Sequence, residues 1–154
     1  MKTIFPKKEC HVPKWFVIDA TGKTLGRLVT EVSKILRGKD ISFFTPGIDQ
    51  GNFVVILNAE KIYITGKKEN QKLYYRNSQR PGSLKVETFK QIKRRKPVHI
   101  IERAVWGMLP KNILGRQYYR RLYVYCSNDK SSLIAKKELQ KVNVDGKNWI
   151  ELSL

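Results

Sequence analysis

Acidic side chains are scarce in this chain. Thirteen Asp and Glu stand against 31 Lys and Arg, leaving a net charge of +18. An enzyme of small metabolites rarely carries such self-repulsion, so the imbalance points to a polyanionic partner, either nucleic acid or an anionic membrane. The membrane is the weaker choice, because the basic residues do not gather on one isolated amphipathic helix. No apolar run approaches the ~20 residues of a membrane span; the longest is Phe53 to Leu57. Cysteine is limited to Cys10 and Cys126. That is too little for a secreted disulfide scaffold, and reduced thiols are expected. His11 and His99 are the only histidines, and no pair stands at zinc-ligand spacing, so neither a metal nor another cofactor is expected. Met1 to Pro6 lack the apolar region of a signal peptide.

What is present suits one folded domain. The 154 residues are 41% hydrophobic and 29% charged, enough for a single core without disulfide or metal. There is no internal repeat or low-complexity linker. Charge is uneven along the chain. Residues 1–60 hold 9 basic and 6 acidic side chains, residues 61–128 hold 17 and 3, and residues 129–154 hold 5 and 4. The middle stretch is therefore the expected polyanion surface.

Trp15 to Ala20 is aromatic and β-branched and precedes a turn, as in a buried strand. Leu25, Leu28, Val29, Val32, Ile35 and Leu36 then fall on one helix face, with Thr24 as N-cap and Gly38 just past the end. The run from Phe53 to Asn58 predicts a strand covered on both faces, giving a parallel βαβ unit. Residues 62–65 extend the sheet or begin a hairpin, and residues 66–85 read as an extended basic loop. Thr88 and Gln91 have capping-box spacing, predicting a helix over 89–96. Pro97 starts the next helix, with Ile101, Ala104, Val105, Met108 and Leu109 on its apolar face. A short helix follows Asn112, and Leu122 to Cys126 forms the last strand. The tail reads as a helix near 133–141 and an extended end.

Gly22-Lys23-Thr24 sits between strand and helix like a fragment of a phosphate-binding loop. The full motif needs glycine at position 17, which is Val17. A nucleotide-binding protein using Lys23 and Thr24 is thus the disfavoured alternative. A tight turn at Gly22 and close helix packing at Gly26 explain the glycines, although Lys23 and Arg27 beside a helix start can hold one RNA phosphate. Asp19, Asp49 and Glu60 have no nucleophile or base beside them in sequence, so no enzyme is expected. A DNA-binding regulator is disfavoured too, for want of a helix-turn-helix pattern. The positive signal is tyrosine interleaved with cations, in Lys72-Leu-Tyr-Tyr-Arg76 and Arg116-Gln-Tyr-Tyr-Arg-Arg121, together with the Lys93-Arg94-Arg95-Lys96 cluster. Cations neutralise phosphates, and Tyr75 and Tyr118 are candidates to stack on unpaired bases. Arg116, Arg120 and Arg121 are the leading phosphate ligands, with little expected effect on stability when neutralised.

Residues 14–25, Lys-Trp-Phe-Val-Ile-Asp-Ala-Thr-Gly-Lys-Thr-Leu, resemble the start of the bacterial-type large-subunit ribosomal protein L13 family. The likeness continues through Leu36-Arg37-Gly38-Lys39, Thr45-Pro46, Asn58-Ala-Glu-Lys61-Ile62 and Thr65-Gly66-Lys67. It is most specific at Trp106-Gly-Met-Leu-Pro-Lys111-Asn-Ile-Leu-Gly-Arg116 and Arg121-Leu-Tyr-Val-Tyr125. Cys126-Ser127 departs from the Gly and His-Pro-containing tail usual in that family. The resemblance implies a three-layer α/β/α fold with a short, mainly parallel sheet of about four strands. An extended segment, 1–13, would precede a single domain at 14–126 and a divergent tail at 127–154. It also implies a non-enzymatic constituent of the large ribosomal subunit, active early in assembly, with large-subunit rRNA and neighbouring ribosomal proteins as partners. Arg37, Lys39, Lys61, Lys67, Lys68 and Lys111 join the RNA-binding candidates. Lys-, Ile- and Asn-rich usage suggests an AT-rich genome, a plastid or a bacterium, and a ribosome there as the location.

Overall fold

The computed structural model describes residues 6–7, 11–126 and 150–151; the helix expected at 133–141 lies outside them. Strands β1 (Trp15–Asp19) and β2 (Phe53–Leu57) pair in parallel, from Trp15 opposite Phe53 to Asp19 opposite Leu57. Helix α1 (Leu25–Arg37) connects them, so the expected βαβ unit is present. Strand β5 (Leu122–Val124) lies parallel on the other edge of β2, giving a three-strand parallel sheet in the order β5-β2-β1. A two-residue strand, β6 (Ile150–Glu151), pairs in parallel with Phe16 and Val17.

Strand alternation divides the sheet into two faces. Phe16, Ile18, Val54 and Ile56 point into the main core. There they meet Leu28, Val29, Val32 and Leu36 of α1, Phe89 and Ile92 of α3 (Phe89–Arg95), Ile100, Ile101 and Val105 of α4 (Pro97–Met108), and Tyr118 of α5 (Ile113–Tyr119). On the second face Val55 and Leu57 are buried among Trp15, Val17, Tyr123 and Tyr125. Trp15 stacks on Phe53 with ring centroids 4.4 Å apart, and on Tyr123 at 5.7 Å.

The helix boundaries follow local chemistry. Gly38 takes a left-handed φ of 74°, and its N–H bonds the Ile35 carbonyl. Thr24 occupies the N-cap of α1 with extended backbone, but its side chain makes no capping bond. The capping box of α3 is complete: Thr88 N–H donates to Gln91 Oε1 at 2.8 Å, and Gln91 N–H to Thr88 Oγ1 at 3.4 Å. Pro97 opens α4, where its missing N–H removes no helical bond. Asn112 caps α5 by accepting from Gly115 N–H at 2.8 Å.

Several expectations need correction. Residues 66–85 are not one loop. A single turn, α2 (Lys68–Gln71), leads into β3 (Leu73–Arg76), which pairs antiparallel with β4 (Lys85–Thr88). Residues 62–65 make only an isolated bridge, Tyr63 to Thr24. Val17 is half-buried rather than buried, and β5, whose Leu122 and Val124 are also half-buried, ends at Val124 instead of Cys126. Met108 is exposed rather than part of the apolar face, its sulfur 3.8 Å from Oγ1 of the exposed Thr30 of α1, while Ile100 of the same helix is buried. Gly26 is open to solvent, with nothing within 4 Å of where a Cβ would stand, so no helix packing requires it.

Gly115 is the opposite case, since a Cβ there would overlap the Pro110 carbonyl. Gly115→Ala should destabilise by about 1–3 kcal/mol through overpacking. Gly26→Ala, in a helix and open to solvent, should stabilise by about 0.5–1 kcal/mol. Denaturant unfolding of both variants checks the pair, and equal shifts of one sign would contradict this packing.

Candidate nucleic-acid interface

The cations on this fold divide by what they already hold. Arg121 is committed inward. Its Nη1 and Nη2 reach the two carboxylate oxygens of Asp49 at 2.8 and 2.6 Å, and Nη1 also donates to the Gly51 carbonyl at 2.6 Å. The guanidinium lies 5.6 Å from the Phe53 ring centroid, and Asp49 is buried. Such a satisfied, desolvated fork is a structural clasp, which corrects the expectation that Arg121 binds phosphate. Tyr118 is corrected too: at 2% exposure it is part of the core and has no face for a base.

Other candidates are partly engaged. Lys93 Nζ donates to the Ile62 carbonyl at 3.0 Å. Arg95 pairs with Glu87 at 2.6 Å on the surface. Lys111 bonds the Trp106 carbonyl and lies 4.7 Å from that ring's centroid. Lys72 sits 5.5 Å from the Tyr74 ring centroid. Lys23 and Arg37 are half-buried. Outward and exposed are Arg27, Lys39, Lys61, Lys67, Lys68, Arg76, Arg94, Arg116 and Arg120. Tyr75 is 55% exposed, as stacking requires.

The structure adds cations that the interleaving pattern passed over. Lys90 joins Lys93 and Arg94 around an open groove of about 410 Å³, whose other walls are Glu60, Glu69 and Pro97. Arg80 and Lys85 are exposed on the β3–β4 hairpin, and Lys96 and Arg103 around the start of α4. Lys96 was already marked by the Lys93–Lys96 cluster, while the signal of the others was present only in the count over 61–128, since none of them adjoins a tyrosine. Three phenols amid this charge are held further from ionisation. Burial raises the pKa of Tyr74, Tyr118 and Tyr119, and Asp49 and Glu102 push the last two further in the same direction.

The turn before α1 is not a phosphate cradle. Ala20 N–H donates to the Leu57 carbonyl, Gly22 N–H to Lys61, Lys23 N–H to Ala20 and Leu25 N–H to Tyr63, all within 3.2 Å. Thr21 N–H donates to Asp19 Oδ1 at 3.0 Å. Amides that would have to face an anion are thus spent on the fold. Gly22 adopts φ 68°, so a turn explains it. Asp19 holds this turn: its Oδ1 also accepts from the Thr21 hydroxyl at 2.7 Å and from Asn58 Nδ2 at 2.9 Å. Burial raises the Asp19 pKa, but the bonds from Asn58 and Thr21 and the charge of Lys23 outweigh it, and the net shift is downward. Among the described residues no group of three His, Cys, Asp or Glu side chains could hold a metal ion, and no helix is long and apolar enough to cross a membrane.

Comparison with known proteins places this geometry. The family described as Ribosomal protein L13 matches residues 13–131. A large ribosomal subunit protein uL13 of Picosynechococcus sp. is 49% identical over 143 residues, 93% of this chain and 95% of that protein. The protein of the same description from Crocosphaera subtropica is 56% identical over 124 residues, 80% of this chain and 82% of its own. That from Prochlorococcus marinus subsp. pastoris is 54% identical over 128 residues, 83% and 90%.

Removing the Arg121 side chain leaves Asp49 buried without its counter-charge. Arg121→Ala should therefore lower stability by about 3 kcal/mol, while Arg116→Ala and Arg120→Ala stay within about 0.5 kcal/mol of wild type. Equal stability of all three variants in urea would refute the clasp. Asp19 makes stability depend on pH. Its folded pKa is lowered, so its contribution is present above the unfolded value of about 3.9 and is lost as pH falls through the folded value. Asp19→Asn should thus be less stable than wild type at pH 7, and the gap should close in unfolding curves taken at progressively lower pH.

Proposed function

The chain belongs to the ribosomal protein L13 family, and we propose that it is a structural constituent of the large ribosomal subunit that binds large-subunit rRNA. Its similarity to proteins named large ribosomal subunit protein uL13, over as much as 93% of its length, carries that reading. The 17-to-3 excess of basic over acidic side chains in residues 61–128 supports RNA as the partner independently. The role is architectural rather than catalytic, and it falls early in subunit assembly, beside neighbouring large-subunit proteins. The relatives are cyanobacterial, which fits a ribosome of a bacterial cytoplasm or of a plastid.

RNA phosphates are held by the outward cations. Arg116 on α5 and Arg120 just past its end are the best placed, because the short helix is fixed to the core by Tyr118 and the chain after it to the sheet through Arg121. Arg27, Lys39, Lys61, Lys67, Lys68, Arg76 and Arg94 extend the surface, and Lys23, Arg37, Lys72, Lys93, Arg95 and Lys111 contribute from partly engaged positions. Contacts of this kind fix position and read shape more than sequence.

We also read residues 14–126 as one domain of three layers between an N-terminal segment, 1–13, and a tail, 127–154, with β6 of the tail as the fourth strand of its sheet. The topology supports this. β1 to β2 and β2 to β5 both advance in one direction across the sheet, with their helices on the first face. β5 and β6 lie at opposite edges of the sheet. The second face, where Val55 and Leu57 are buried, carries no described helix.

The function is tested by sedimentation. The protein should travel with the large subunit through a high-salt gradient, and its absence from that peak would overturn the proposal. Neutralising Arg116 and Arg120 together should lower the log–log salt slope of rRNA binding by about 1.4–1.8. The same change at Lys136, Lys137 and Lys141 should matter less, because residues 129–154 are nearly charge-balanced.

A further inference from the structure

The open groove beside α3 is lined by charges of both signs that do not meet. Lys90, Lys93 and Arg94 stand three and four residues apart on α3 and so share one side of it. Pro97 opens α4 beside them. Glu60, in the single turn Ala59–Lys61 after β2, and Glu69 of α2 complete the lining. The volume of about 410 Å³ falls in the range of roughly 300–1,000 Å³ found for small-ligand sites. The two carboxylates are the unusual part. Residues 61–128 hold 17 basic side chains and three acids, Glu69, Glu87 and Glu102. Glu87 pairs with Arg95 at 2.6 Å, and Glu102 lies 3.8 Å from the His99 ring. Glu69 has neither an ion pair nor a side-chain hydrogen bond among the described residues, and the same holds for Glu60, Lys90 and Arg94. Lys93 alone is engaged, through its bond to the Ile62 carbonyl at 3.0 Å. The fold therefore spends neither carboxylate on its own stability, although cations surround them.

The mixture of signs narrows the ligand. A groove built only for backbone phosphates gains nothing from two carboxylates, which repel them. A double helix brings phosphates, but the donors of its bases are already paired. A bare divalent ion would face three cations, and no group of three His, Cys, Asp or Glu side chains among the described residues could hold one. A protein segment would need cations of its own to meet Glu60 and Glu69, and the 17-to-3 basic excess around the groove repels those. An unpaired nucleotide satisfies both signs, since its base carries donors and an anionic phosphate lies on either side. Among the bases guanine suits a carboxylate best. Its N1–H and N2–H stand side by side and donate in parallel to two oxygens. Adenine, cytosine and uracil each set an acceptor beside their donor, and a carboxylate repels that acceptor.

We propose that this groove binds an unpaired guanine nucleotide of the rRNA, its N1–H and N2–H donating to the carboxylates of Glu60 and Glu69 and its flanking phosphates held by Lys90 and Arg94. Lys93 stays tied to Ile62, and Pro97 supplies an apolar wall. Where most cations of this surface read backbone and shape, the two carboxylates read a base. The site deepens the rRNA-binding reading and rests on it.

The test uses the full chain, a large-subunit rRNA transcript, and short oligouridylates that carry guanosine, inosine or uridine at one central position. The guanosine probe should bind roughly 5- to 150-fold tighter than plain oligouridylate, the worth of one bidentate base contact. Inosine, which lacks the N2 amino group, should fall between them. Glu60→Gln with Glu69→Gln should abolish the preference and yet tighten the binding of plain oligouridylate, because two charges that repel phosphate are gone. That variant should keep the wild-type melting temperature, since neither carboxylate bonds within the described domain. Lys90→Gln with Arg94→Gln should lower the salt slope of the guanosine probe by about 1.4 while the preference for guanosine persists. The proposal fails if the wild type binds the guanosine and uridine probes alike, or if the glutamate double variant keeps the preference. A double variant that binds every probe as the wild type does but no longer enters the large subunit would assign the groove to a protein instead. A wild-type chain that ignores the rRNA transcript would sink the rRNA-binding reading and the groove with it, whereas a bound transcript without guanosine preference sinks the groove alone.

Discussion

The bond between Arg121 and Asp49 fixes the relation of everything around it. Arg121 lies between the end of α5 and the start of β5, and its backbone carbonyl accepts from Val54 N–H of β2. Its guanidinium reaches Asp49 and Gly51 in the segment between α1 and β2. A buried pair is favourable only when its geometry is complete, because both ions give up water. Here both carboxylate oxygens face the fork, Gly51 N–H also donates to Asp49, and the Gly51 carbonyl receives a third guanidinium bond. Glycine is required at 51, since a Cβ there would collide with the Leu36 carbonyl and with Arg121 itself. The clasp therefore constrains α1, the segment after it, β2 and β5 together.

A net charge of +18 opposes folding through self-repulsion, and the fold answers it in two ways. Some cations are turned toward internal acceptors, as Lys93 is to Ile62, Lys111 to Trp106 and Arg121 to Asp49. The remainder stand outward, where water screens them. Surface pairs such as Arg95–Glu87 and Lys34–Glu31 contribute little to stability by themselves. The outward set is consequently available to bind without the domain depending on it.

How far the sequence disclosed this architecture follows from how each element is buried. β1, α1 and β2 each bury a strong apolar pattern, and their order, pairing and caps were legible from residues 15–58. The complete capping box at Thr88 and the Pro97 start were legible for the same reason, since each is local chemistry. The hairpin was not. Its residues include Tyr and Val, which favour strands, but both ribbon edges carry cations and the outward face is exposed. Alternation thus carried no inside-to-outside contrast. Gly26 misled because a glycine in a helix suggests close packing, whereas only the surroundings distinguish Gly26 from Gly115.

The stretch from Arg116 to Arg121 shows why the candidate site was only partly legible. Its composition advertised RNA, and a planar fork suits phosphate as well as it suits carboxylate. Arg121 could therefore be assigned from the stretch alone only to the partner that composition favoured. The distinction lay in spacing. Gly115 and Tyr118 are three apart and face the core, while Arg116 and Arg120 are four apart and face solvent. Arg121 falls just past the helix, where the chain turns into β5 and helical spacing no longer applies. Its acceptor, Asp49, stands 72 residues earlier and looked isolated in sequence because its partner is remote. Cations of one composition thus divide into an outward pair and an inward clasp, and it is the clasp that holds the outward pair in a fixed place against the sheet.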